Sequence, residues 1–153
     1  MSRRIEIEER AEIPWDGLIF GWVAMVPLLA CAVAAWLPEV SGLALEAGRL
    51  WGAAIAVFLS GVRRGLSFRT EGGPRWTQLA MMLWLFCGGL AAVLLPLGPA
   101  LWLLLALYLS LAVLDPLAAT AGEAPLYFRR LRPPQMGFAV LCIGGMVVAF
   151  STV

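Results

Sequence analysis

Histidine and lysine are both missing from this 153-residue chain. Without histidine there is no imidazole for a haem, for the usual zinc centres or for most nucleophile–base pairs. Cysteine is scarce: Cys31, Cys87 and Cys142 stand in three different apolar stretches and form no CxxC pair. They read as small packing residues, so neither a metal site nor a disulfide is expected. Charge is thin as well, at 14% of residues with a net charge of +1, which offers nucleic acid no basic surface. Glu71-Gly72-Gly73-Pro74 is a turn and not a phosphate cradle, because no helix opening on Lys-Ser or Lys-Thr follows it. Asp115 and Glu123 are the only acids between the last two apolar stretches, and nothing else supports a two-carboxylate hydrolase. The chain is therefore not expected to be an enzyme.

What is present is apolar. The chain is 61% hydrophobic, with mean hydropathy +0.87, outside the range of ordinary soluble domains. Five stretches are long enough to cross a membrane or nearly so, at about residues 17–37, 47–68, 76–95, 98–114 and 134–153. The expected fold is an all-α membrane protein: one five-helix transmembrane bundle over residues 17–153, behind a mixed acidic and basic tail at 1–16. Trp15, Trp76 and Tyr127 fall near one set of boundaries and Trp36 and Trp51 near the other, as an aromatic belt requires.

All eleven basic residues are arginines, and they sort by gap. Arg3, Arg4 and Arg10 precede the first stretch; Arg63, Arg64, Arg69 and Arg75 fill the gap after the second; Arg129, Arg130 and Arg132 precede the fifth. Arg49 alone lies near the second gap, and the gap after the third stretch carries no charge. This alternation is the positive-inside pattern. It predicts a cytoplasmic N-terminus and a C-terminus on the opposite side. The leader carries more acids than arginines, unlike a secretory signal, so the first span is expected to be retained.

Local signals shape the spans. Pro27 should kink the first. Pro96-Leu97-Gly98-Pro99 should turn the third tightly into the fourth, and Asp115-Pro116 should stop the fourth. Ala124 to Arg132 mixes aromatics with arginines and suits an interfacial segment. The second span is short, since only thirteen residues separate Arg49 from Arg63. The helix must run on toward Phe68, which brings Arg63 and Arg64 to the headgroup boundary, either snorkelling or paired. Adjacent helical residues point about 100° apart, so the two cannot face one neighbour. Asp115, at the same membrane face, is the natural counter-ion, with Glu71 a local competitor. Gly52, Ala56 and Ser60, beside the parallel ridge Ala53, Val57, Gly61 and Gly65, provide small-residue faces for close helix packing, within the bundle or against another subunit.

Two stretches carry a resemblance. Trp51 to Leu66 resembles the aromatic-Gly-Ala…Phe-Leu-Gly-Gly…Trp-Gly helix of the transmembrane protein 69-like family, an integral-membrane family of unknown function. Asp115, Ala124-Pro125-Leu126-Tyr127 and Leu131-Arg132 resemble its Asp…Pro-aromatic-Tyr…Leu-Arg segment. The chain departs from that pattern at Ser60, Arg64 and Gln135-Met136. The resemblance implies a membrane fold and a place in the bacterial inner membrane, not a reaction. It singles out Gly61, Arg63, Gly65, Asp115, Tyr127 and Arg132 as a cluster at one membrane face.

Two functional expectations follow. One is a non-catalytic accessory or assembly subunit of a larger, energy-transducing inner-membrane complex, with other membrane subunits as partners and no cofactor. The alternative is a small carrier or a lipid- or quinone-binding protein that uses the arginine–aspartate cluster. The first gains if Gly52, Ala56 and Ser60 face outward; the second gains if a cavity opens beside Arg63, Arg132 and Asp115.

Overall fold

The computed structural model describes residues 13–70 and 72–152. The acidic leader at 1–12 and Glu71 lie outside the described residues. Among the described residues six helices follow one another: α1 (Trp15–Val23), α2 (Val26–Ala34), α3 (Ser41–Ser67), α4 (Trp76–Leu94), α5 (Leu97–Thr120) and α6 (Phe128–Thr152). Taken with α1 and α2 as one broken span, five segments are long and apolar enough to cross a membrane. The outside of the bundle carries Phe20, Phe58, Trp102, Val113 and Leu141 in the open, an apolar surface suited to lipid.

The first span breaks where Pro27 predicts. Met25 N–H bonds the Trp22 carbonyl at 2.9 Å, a tighter turn that ends α1, and Pro27 sits in the first turn of α2, where its missing N–H costs nothing.

The short second span is resolved by an earlier start. The helix begins at Ser41, not 47, so its 27 residues run roughly 40 Å, ample for a hydrocarbon core of about 30 Å. Arg49, about two turns inside, donates to the carbonyls of Ala92 (3.0 Å), Val93 (2.7 Å) and Leu95 (3.2 Å) and pairs with Glu46. The lone arginine at this end of the bundle thus caps α4, whose last carbonyls have no helical donor.

Two further expected boundaries are wrong. Asp115-Pro116 does not end the fourth span, because α5 continues to Thr120. Proline is tolerated inside membrane helices. The true stop is Gly122, at φ +72, with Glu123 N–H bonding Ala118 O at 2.8 Å in a Schellman closure. The fifth span begins at Phe128, not 134, so most of the expected interfacial segment is helical. Pro133 and Pro134 release the i−4 carbonyls of Arg129 and Arg130, two exposed residues at the helix end that polar surroundings can solvate.

The most extensive pairings are α3 with α4 and α5 with α6. Leu28, Leu85, Leu101, Leu104, Leu107, Met136, Ile143 and Met146 are fully buried. At Gly89 a Cβ would come within 3.1 Å of the Ala53 carbonyl, so α3 and α4 meet almost backbone to backbone. Tyr108 O–H, buried in the bundle, donates to the Gly52 carbonyl at 2.9 Å and ties α5 to α3. By contrast α1 approaches only α2 and α6, and none of its residues is buried.

Candidate functional site: an arginine–aspartate cluster beside an intramembrane cleft

Asp115 collects its partners from two other helices. Arg63, on the buried face of α3, donates from Nη2 to Oδ1. Arg132, on the first turns of α6, places Nε 3.4 Å from Oδ2 without forming a hydrogen bond. The three residues are 4%, 2% and 7% exposed for Arg63, Asp115 and Arg132. This geometry depends on α5 passing through Asp115-Pro116 as helix, which keeps the carboxylate inside the bundle.

The two adjacent arginines part company. Arg64 lies with its guanidinium 4.0 Å over the Phe68 ring and Nη1 3.1 Å from Ser67 Oγ. It takes no part in the cluster.

The expected small-residue faces divide in the same way. Gly52, Ala56 and Ser60 are buried inside the bundle, and the side chains of Arg63 and Ser67 continue that face. Gly61 and Gly65 are not packing positions: both are exposed, with nothing near an added Cβ. A four-residue step overshoots the 3.6-residue turn by about 40°, so the ridge Ala53–Val57–Gly61–Gly65 rotates off the interface as it climbs.

Arg132 has a second environment. Its guanidinium stacks 4.4 Å over the Phe128 ring, and Nη1 donates to Gln135 Oε1 at 3.3 Å. Gln135 Nε2 in turn donates to the Gly21 carbonyl at 2.6 Å. That carbonyl is left over from the helix break, because Met25 N–H bonds Trp22 instead. The Ala24 carbonyl, beside the same break, accepts from Trp51 Nε1 at 2.8 Å. The sequence reading missed both contacts. Gln135 was noted there only as a departure from a family pattern, although an amide at the start of an apolar run was a usable signal.

Because α1 leans away from α3, a cleft of about 560 Å³ opens between α1, α3 and α6. Phe20, Ile55, Phe58, Leu59 and Met136 line its body, Trp51 and Ala24 stand at its deep end, and Tyr127, Arg132 and Gln135 form its polar corner. Tyr127 is half-buried between α5 and α6, edge-on to Phe128 at 5.0 Å. Burial pushes its phenol above the ordinary tyrosine range; Arg132 opposes this and Asp16 adds to it.

A separate polar lock closes the same end of the bundle. Gln78 Nε2 donates to Thr70 Oγ1 at 2.8 Å and to the Glu123 carbonyl at 3.1 Å, while Thr77 donates to the Glu123 carboxylate at 2.8 Å. It joins the α3–α4 and α5–α6 connections and so fixes the height at which Arg63 meets Asp115. Comparison with family models, with curated proteins and with solved structures finds no match to this chain.

Proposed function

We propose that this chain is a small, non-catalytic membrane protein that binds an amphiphile, a lipid or a quinone-like molecule, in the cleft between α1, α3 and α6. The observation that carries the reading is the cleft itself: an apolar groove of about 560 Å³ with one polar corner, made by Arg132, Gln135 and Tyr127. The volume is in the usual range for small-molecule sites, which are mostly apolar with a few placed polar groups. Five N–H donors on Arg132 serve only one hydrogen bond among the described residues, so donors remain for a ligand head. The lightly packed α1 supplies a movable wall.

The accessory-subunit alternative drew on Gly52, Ala56 and Ser60 as a docking face, and those residues are used inside the bundle. The arginine asymmetry supports placing the cluster at the cytoplasmic face, and the family resemblance is what suggests a bacterial inner membrane. Kinship with the transmembrane protein 69-like family is likewise proposed, on the residues that meet here: Arg63, Asp115, Tyr127 and Arg132.

The test is native mass spectrometry of the chain purified in mild detergent, with a native gel of the same eluate. The expected result is one co-purifying amphiphile per chain, lost in Ala54→Phe, which fills the cleft from the α3 wall without touching the ion pairs. Absence of any bound amphiphile, with stoichiometric migration in a larger complex, would turn the assignment to the accessory-subunit reading.

A further inference from the structure

Among the described residues, three charged side chains are buried: Arg63, Arg132 and Asp115. Two cations against one anion leave one positive charge in excess. Arg63 takes the hydrogen bond to Asp115, and Arg132 is left with a long 3.4 Å approach and an Nε that bonds nothing. An uncompensated buried charge costs several kcal/mol, more so within the depth of a membrane. Among the described residues no other acid supplies the balance. Asp16, at the start of α1, is exposed and forms no ion pair with Arg132, and Glu123 is engaged by Thr77 and Arg75. The one open approach to Arg132 is the cleft whose polar corner it forms.

Resting on the amphiphile-binding reading, we infer that the occupant is a long-chain carboxylate: its acyl chain lies in the cleft and its carboxylate supplies the negative charge missing at Arg132. Three features select this chemistry. The α3 wall runs from Trp51 to Val62, roughly 16 Å, about the depth of one leaflet and so matched to a single extended chain. The guanidinium lies over the Phe128 ring at the corner of a lining that includes Leu131 and Met136, where a planar carboxylate can bond its terminal N–H groups. A phosphodiester would bring a glycerol and a head group into a lining whose only polar members are the three at the corner. Tyr127, another polar member of the lining, brings a second donor to the same cleft.

Oleate and methyl oleate differ in little but the charge and settle the matter on the unmodified protein. The full chain, delipidated in neutral detergent, is titrated with each and the complexes are counted by native mass spectrometry. The expected result is one oleate per chain, bound about tenfold or more tighter than the ester, the worth of one charge-assisted pair. In Arg132→Gln the two probes should bind alike; if that variant does not fold, the acid–ester comparison on wild type still decides. Equal binding of acid and ester would overturn the carboxylate and leave the cleft reading standing. Binding of neither probe to the folded, delipidated protein would overturn both. Displacement of oleate by equimolar dioleoylphosphatidylglycerol would overturn the single-chain assignment in favour of a phospholipid.

Discussion

Asp115 of α5 faces two arginines with its two oxygens: Arg63 of α3 on Oδ1, and Arg132 of α6 across 3.4 Å on Oδ2. One carboxylate therefore joins three helices at one end of the bundle. Removing it leaves two buried guanidinium groups facing each other. Asp115→Asn should destabilise the folded chain by about 3–5 kcal/mol, the cost of breaking a buried pair. Thermal inactivation and monodisperse yield in detergent report it, and unchanged values would sink the structural role of the pair. Because Arg63 loses its partner in that variant, adding Arg63→Met should cost less than the sum of the two single changes.

The neighbouring arginines should behave unlike each other. Arg63→Ala strips Asp115 of its hydrogen-bonded partner, whereas Arg64→Ala gives up a stacking contact on Phe68 worth about 0.5–1 kcal/mol. The loss of thermal stability should therefore be clearly larger at Arg63. Equal losses would mean that Arg64 carries a buried charge too.

Gly21 and Gln135 should be coupled. A Cβ at Gly21 would lie 2.6 Å from Gln135 Nε2, so Gly21→Ala swings the flexible amide away from the carbonyl and costs the hydrogen bond between them, about 0.5–1.5 kcal/mol. In a Gln135→Ala background the same change should be nearly neutral. Additive losses in the double variant would show that the amide does not hold α1 against α6.

Arg49→Ala should loosen the other end of the bundle. It frees the carbonyls of Ala92, Val93 and Leu95, with an expected loss of about 1–3 kcal/mol for groups left without a donor. Arg49→Lys should restore only part, since an ammonium lacks the planar fork that reaches several acceptors at once. Amide hydrogen exchange should rise at the α4–α5 hairpin and not around Asp115.

Tyr127 predicts a pH effect with a definite sign. Its phenol is raised by burial, so the folded state holds the proton more tightly than the unfolded chain does. The stabilisation is fully present below the unfolded tyrosine pKa of about 10 and is lost as pH rises through the higher folded value. Thermal stability should fall more steeply on the alkaline side for wild type than for Tyr127→Phe. Identical alkaline slopes would contradict it.

Five apolar runs, the kink at Pro27, the sorting of arginines by gap and the pairing of Asp115 with an arginine two helices away could all be read from the order of residues. These rest on short-range physics: hydropathy, helix length and the charge that a bilayer excludes. The sequence could say that Arg63 and Arg64 cannot share a partner, but not which one turns inward, because that depends on how α3 rotates against α5. It placed a stop at Asp115-Pro116, where local proline chemistry is outweighed by a helix packed within the bundle. Only the tertiary structure decided that Asp115 serves a second arginine, that Arg49 caps α4, and that Gln135 and Trp51 take up the carbonyls of the broken span. It also decided that α1 leans off α3 and leaves a cleft beside Arg132. Each of these pairs groups on different helices, many residues apart in sequence, and their meeting is set by helix rotation and tilt, which no periodicity in a single segment encodes.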